Sequence, residues 1–119
     1  MFDSIFTLFA LLFIKHWYID FVNQNDKEVK GKGIYGNLDG IGHSLKHGIA
    51  TMLIFVLGVL DFETALLLGL VDFVLHYHID YCKMHFGNRD ITTKAFWAQL
   101  GLDQLAHSLT YLGLVWLVV

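Results

Sequence analysis

Histidine and aspartate recur one helical turn apart at four places in a chain that is otherwise mostly apolar. The pairs are His16 with Asp20, His43 with His47, His76 with Asp80, and Asp103 with His107. Residues four apart share one helical face, so each pair aims two ligand or proton-handling groups at one point. The richest stretch is Leu75–Lys83, where His76, Asp80 and Lys83 follow at i, i+4, i+7 and Asp72 extends the stripe by a turn. Imidazole and carboxylate at this spacing suit a divalent metal, and helical bundles build metal centres from such facing pairs. The candidate ligands are His16, Asp20, His43, His47, His76, Asp80 and His107. They exceed what one tetrahedral zinc needs, so either two ions bind or some residues only support the others. Zinc is the first choice, and manganese or iron accepts the same donors.

Asp103 is the candidate base or a further ligand. Lys83 either orients an anionic substrate or snorkels to the headgroups, and Gln24, Asp72 and Gln104 flank the ligands. His78 points about 160° away from Asp80 on a regular helix and is expected outside the site. Cys82 also faces away and is read as packing. Of His43 and His47, the spacing does not choose which faces the centre.

The elements that must position these groups follow from composition. The chain has 119 residues, 55% hydrophobic and 16% charged, with no proline, and a mean hydropathy of +0.54. That charge is too low for a soluble domain of this size, so the expected class is all-α: a polytopic membrane protein, one domain over 1–119. Four spans are expected, at about 2–24, 40–60, 64–86 and 94–119, packed as an antiparallel four-transmembrane-helix bundle. The N-terminal run lacks a basic leader and a cleavage site and is read as a retained helix. Asn25–Gly42, rich in Gly, Lys, Asn and Asp, is expected to be a solvated, mobile loop. Thr92 or Thr93 is expected to cap the last helix, and Tyr111 and Trp116 to mark the far interface. A net charge of −3 argues against a nucleic-acid partner, and the single cysteine against an intrachain disulfide.

Lysine and arginine outside the spans lie mainly in the first and third connections, whereas the second carries only acids. The positive-inside rule then puts both termini outside the cytoplasm. Segments one and three carry their polar pairs late and segments two and four carry theirs early. All four sets therefore fall in one layer, in the cytoplasmic half of the bilayer.

Ionisable groups inside a membrane are functional candidates by default, although polar pairs also glue helices together. The expected function is a membrane-embedded, metal-dependent hydrolase that activates water, acting on an amphiphilic or lipid-linked substrate. The rivals are a small ion- or proton-linked transporter or channel, and a non-catalytic membrane adaptor. The channel reading would need a homo-oligomer to supply a pore.

The motifs HWYIDFVNQ (His16, Asp20, Gln24), HSLKH (His43, His47), HYHIDYCK (His76, Asp80, Lys83) and DQLAH (Asp103, Gln104, His107) span nearly the whole chain. In their order and spacing the sequence resembles the domain-of-unknown-function family 3307, small integral membrane proteins of bacteria and phages. The resemblance implies the fold, the site and a bacterial inner membrane, and no particular reaction. A looser similarity to small membrane proteins labelled metal-dependent hydrolases is analogy.

Overall fold

The first polar pair sits where the first helix changes its winding. In the computed structural model, which describes residues 5–58 and 61–119, Ile5–Trp17 forms a regular helix (α1) that continues as a π-helical segment over Tyr18–Asn23. Widened turns of this kind are frequent at functional sites. Gln24 then leaves the helix in an extended conformation, so the face that His16 and Asp20 share does not continue to Gln24.

Asp26–Lys32 forms a short helix (α2), followed by Leu38–Leu57 (α3), Phe62–Phe86 (α4) and Lys94–Val118 (α5). The expected helix start at Phe2 and the expected end at Leu60 lie outside the described residues. No strand occurs among those residues. Thr93, not Thr92, caps α5 by accepting from the Phe96 amide.

The stretch read as a mobile loop is corrected by α2. Asn25 and Glu28 form a reciprocal capping box: the Glu28 amide donates to Asn25 Oδ1 at 2.9 Å and the Asn25 amide donates to Glu28 Oε2 at 2.8 Å. Both orphan donors are thereby satisfied, and the helix starts without help from the core. It docks on α3, where Gly31 and Gly40 meet backbone to backbone; a Cβ on Gly40 would lie 2.8 Å from the Gly31 carbonyl oxygen. Lys46, on α3, forms an ion pair with Glu28. Burial pushes the Glu28 carboxyl up, but Lys46 and the Asn25 amide outweigh it and hold the group below the usual carboxylate range. The abundant polar residues of this stretch therefore serve a folded roof.

Contacts between the long helices fall in number along one as they rise along the other. Lys15 and Asp20 meet His47 and His43, while His43 and Thr51 meet Asp80 and Asp72. Asp80 and Lys83 in turn meet His107 and Asp103. Each neighbouring pair thus runs antiparallel. α3 and α4 approach closely at Gly48 and Gly69, where a Cβ on Gly69 would lie 2.7 Å from the Gly48 carbonyl oxygen and 2.9 Å from Met52 Cβ. Gly69→Leu should push these helices apart and destabilise the protein by about 1–3 kcal/mol in detergent unfolding. A variant as stable as the parent would mean that the crossing has slack.

Leu8, Leu12, Phe55, Ala65, Leu68, Leu114 and Val115 form an apolar core at one end. The other end inverts the usual pattern: His43, His47, Thr51, Asp72 and His76 are completely buried, while Phe21, Leu102 and Leu105 are exposed. Buried charge beneath an apolar exterior suits lipid as the surrounding solvent. Three helices among the described residues, Ile5–Asn23, Leu38–Leu57 and Phe62–Phe86, are long and apolar enough to cross a membrane. Tyr111 does not mark the far interface as expected. It is 1% exposed and sits over His16, because its face of α5 turns inward.

Candidate metal centre

All seven candidate ligands and Asp103 converge in one buried layer. α1 and its π segment bring His16 and Asp20, α3 brings His43 and His47, α4 brings His76 and Asp80, and α5 brings Asp103 and His107. Both histidines of the α3 motif face inward, one turn apart. The ligand atoms fall into three groups, each with its members within 4.8 Å of one another: His16, Asp20, His47 and His76; Asp20, His43, His76 and Asp80; and Asp80, Asp103 and His107.

Asp20 Oδ1 lies 2.9 Å from His43 Nε2, 2.8 Å from His47 Nε2 and 3.7 Å from His76 Nε2. Asp80 Oδ2 lies 3.2 Å from His76 Nε2 and 3.7 Å from His43 Nε2, while its Oδ1 lies 3.0 Å from His107 Nε2. His107 Nε2 is also 3.3 Å from Asp103 Oδ1. Ligands about 2.0–2.2 Å from a shared ion stand roughly 3.0–3.5 Å apart; the separations at 3.0, 3.2 and 3.3 Å lie in that range, and those at 2.8, 2.9 and 3.7 Å lie just outside it. Several donors have no hydrogen-bond partner although they are buried: both ring nitrogens of His76, Asp80 Oδ2 and Asp103 Oδ1. Leaving such groups unmet costs about 1–3 kcal/mol each, more where charged, so a layer with several of them calls for an ion or water.

Hydrogen bonding sorts the histidines. The Gln104 amide nitrogen donates to Asp103 Oδ2 at 2.9 Å, which turns its oxygen toward His16 Nε2 at 2.8 Å. An amide oxygen only accepts, so His16 Nε2 carries hydrogen, and Nδ1 accepts from the Tyr111 hydroxyl at 2.8 Å. His47 Nδ1 lies 2.9 Å from Lys15 Nζ. As an ammonium, Lys15 donates there, and His47 keeps its hydrogen on Nε2. His43 differs, because its Nδ1 faces Glu28 Oε2 at 4.0 Å. No hydrogen bond fixes that nitrogen, and Nε2 lies 2.9 Å from Asp20 Oδ1, so His43 either donates to Asp20 through Nε2 or, with its hydrogen on Nδ1, ligates there. The rings of His47, His76 and His107 stack in series, with centroids 3.6 and 3.9 Å apart.

Of the flanking residues, Asp72 pairs with Lys15 at 3.0 Å and accepts from the Thr51 hydroxyl. Gln104 bridges Asp103 and His16, and Gln24 accepts from Lys32, whose Nζ is 3.6 Å from Asp80 Oδ2. Lys83 Nζ stands 3.9 Å from Asp103 Oδ2. His78 is exposed and lies 2.9 Å from the Tyr35 hydroxyl, away from the layer. Cys82 is exposed and lines a cavity, so it does not pack the interior.

Sequence reasoning missed Lys15, Lys32, Glu28 and Tyr111. For Glu28 the signal was present, since Asn25-x-x-Glu28 is a capping-box pattern. Lys15 and Lys32 looked like ordinary end-of-helix and loop lysines, and only the fold shows that each meets a buried aspartate.

The family model described as "Protein of unknown function (DUF3307)" matches residues 8–119. The chain belongs to that family. The match takes in all four motifs and every residue of the buried layer, so family and site cover the same part of the chain. No curated protein and no solved structure matches the chain.

Proposed function

We propose that the protein is an integral membrane, metal-dependent hydrolase whose centre lies at the cytoplasmic headgroup level. The supporting observation is the set of unmet buried donors, His76 Nε2, Asp80 Oδ2 and Asp103 Oδ1, in a layer short of positive charge. Asp72 has Lys15 and Asp103 has Lys83, but Asp20 and Asp80 share only Lys32. One negative charge is left over when the histidines are neutral, and a divalent cation answers both deficits.

Asp20, His43, His76 and Asp80 would hold one ion. Asp80, Asp103 and His107 would hold a second or complete the first. His47 holds Asp20 Oδ1 with its Nε2 hydrogen, while His16, whose hydrogen points to Gln104, stands beside Asp20 Oδ2 at 3.2 Å. Bound there, zinc, manganese or iron supplies a Lewis acid and a source of nucleophilic water. With an ion held only by Asp20, His43, His76 and Asp80, Asp103 would accept a proton at Oδ1 and pass it to His107 Nε2 at 3.3 Å, and Lys83 would steady an anionic substrate.

The fourth long helix, α5, has 25 residues, about 37 Å at 1.5 Å each, and would complete an antiparallel bundle of four spans. Its charged first half belongs to the layer and lowers its apolarity. Lys27, Lys30 and Arg89 on the connections at the layer's end support a cytoplasmic position, with both termini outside. The transporter reading has less support, because Leu12, Phe55, Leu68 and Leu114 fill the bundle beyond the layer.

Protein purified in detergent should carry at least one equivalent of zinc, manganese or iron by elemental analysis. It should also hydrolyse one member of a panel of lipid esters and phosphoesters, with activity lost to a chelator and restored by the metal. Less than one equivalent after metal supplementation would overturn the metal centre, and full activity in chelator would overturn its catalytic use.

A further inference from the structure

A cavity of about 500 Å³ opens between α4 and α5. Leu75, Ile79, Leu102 and Ala106 form its walls, and Lys83 and Asp103 stand among them. Leu75 and Leu102 are also exposed on the outer surface, so the groove faces the surroundings of the bundle rather than its axis. In a membrane those surroundings are acyl chains, and an apolar groove of this kind is filled by one.

What lies at its polar wall decides what the chain carries. Lys83 is the one lysine or arginine lining the cavity, and among the described residues its ammonium makes no hydrogen bond; Asp103 at 3.9 Å is beyond that reach. Asp103 is already engaged by the Gln104 amide and stands beside His107, which leaves the Lys83 hydrogens for an outside acceptor. Asp103 also belongs to the candidate metal group, so a head group held by Lys83 lies next to the reacting end of the layer.

We propose that this groove binds a phosphate-bearing lipid of the surrounding membrane, with its acyl chain along Leu75, Ile79, Leu102 and Ala106 and its phosphate oxygens accepting from Lys83. This deepens the hydrolase reading by naming the substrate class, and it rests on that reading for the role of the bound lipid, though not for the binding. Entry is lateral, through the opening between α4 and α5. The roof formed by α2, with Lys32 against Asp80, covers the layer from the aqueous side.

Cys82, the sole cysteine, lines the groove and reports on its occupancy. Its alkylation by N-ethylmaleimide is measured on the whole protein in dodecyl maltoside, with and without dodecyl phosphate. The chain length is constant, so the comparison isolates the head group. A charge-assisted hydrogen bond is worth about tenfold in affinity, so dodecyl phosphate should slow alkylation clearly at concentrations where added maltoside does nothing. Lys83→Gln should abolish the difference. Ala106→Trp, which fills the groove while keeping the lysine, should abolish it too, and both variants are checked for parental elution on gel filtration.

Equal protection by the two detergents, protection retained in Lys83→Gln, or equal protection by inorganic phosphate alone would each overturn the lipid site. Asp80→Asn separates the two proposals. Protection that persists there, with no metal bound by the parent, supports the lipid site and sinks the metal centre. Metal bound by the parent without protection by dodecyl phosphate sinks the lipid site alone.

Discussion

Asp80→Asn should empty the centre more completely than any other single substitution in the layer. Asp20 and His76 also belong to two of the three ligand groups, but Asp80 alone joins the two that would hold ions, through Oδ2 toward His76 and His43 and through Oδ1 toward His107. Asparagine keeps the size and removes the charge, so the effect reads ligation rather than packing. A loss of more than about a hundredfold in metal affinity is expected, since even residues that only support ligands cost about 10–100-fold when removed. Asp103→Asn touches one group and should lower the stoichiometry or affinity less. His16→Ala acts only through Asp20, Gln104 and Tyr111 and should fall in the supporting range. Titration with zinc, followed by elemental analysis of the dialysed protein, ranks the three. Parental affinity in Asp80→Asn would remove the shared-ligand arrangement.

The second large effect concerns Lys15. Its ammonium donates to Asp72 at 3.0 Å, to His47 Nδ1 at 2.9 Å and to the His47 carbonyl at 3.3 Å, and it is 9% exposed. Lys15→Met leaves Asp72 as a buried charge with only Thr51 beside it. Breaking a buried pair from one side costs about 3–5 kcal/mol. Asp72→Asn strands Lys15 in the same way. The double variant removes both charges, so its loss should be well below the sum of the two singles. Equilibrium unfolding in mixed micelles measures all three. Strictly additive losses of under about 1 kcal/mol each would show that the pair is solvated.

The three His/Asp pairs, the His43/His47 pair and their common layer were legible from spacing and direction alone. Each pair sits one turn apart, and the side on which it sits alternates from helix to helix as a layer requires. What was not legible is the part of the layer that comes from elsewhere. Lys15 is adjacent to His16 but reaches Asp72, 57 positions away, and no local pattern announces that partner. Lys32 reaches Asp80 only because α2 folds and docks through Gly31 on Gly40, and a count of polar residues read that stretch as loop. Tyr111 was misplaced because an aromatic residue near a helix end suits an interface as well as a buried hydrogen bond. The choice between His43 and His47 depended on what faces each Nδ1, Glu28 in one case and Lys15 in the other, which is a tertiary property.

In the membrane reading, the long reach from Lys15 to Asp72 has a consequence for biosynthesis. A lone lysine or aspartate disfavours insertion by about 2.5–3.5 kcal/mol at the centre of a span, a cost that snorkelling reduces nearer its end. During translation α1 leaves the ribosome well before α4, so Lys15 waits without its counter-charge while α2 and α3 are made. Insertion of α1 would then be incomplete, or shielded by the insertion machinery, until Asp72 arrives. On that reading the ion pair would act as a latch that commits the first helix to the bilayer only after the third long helix has been synthesised.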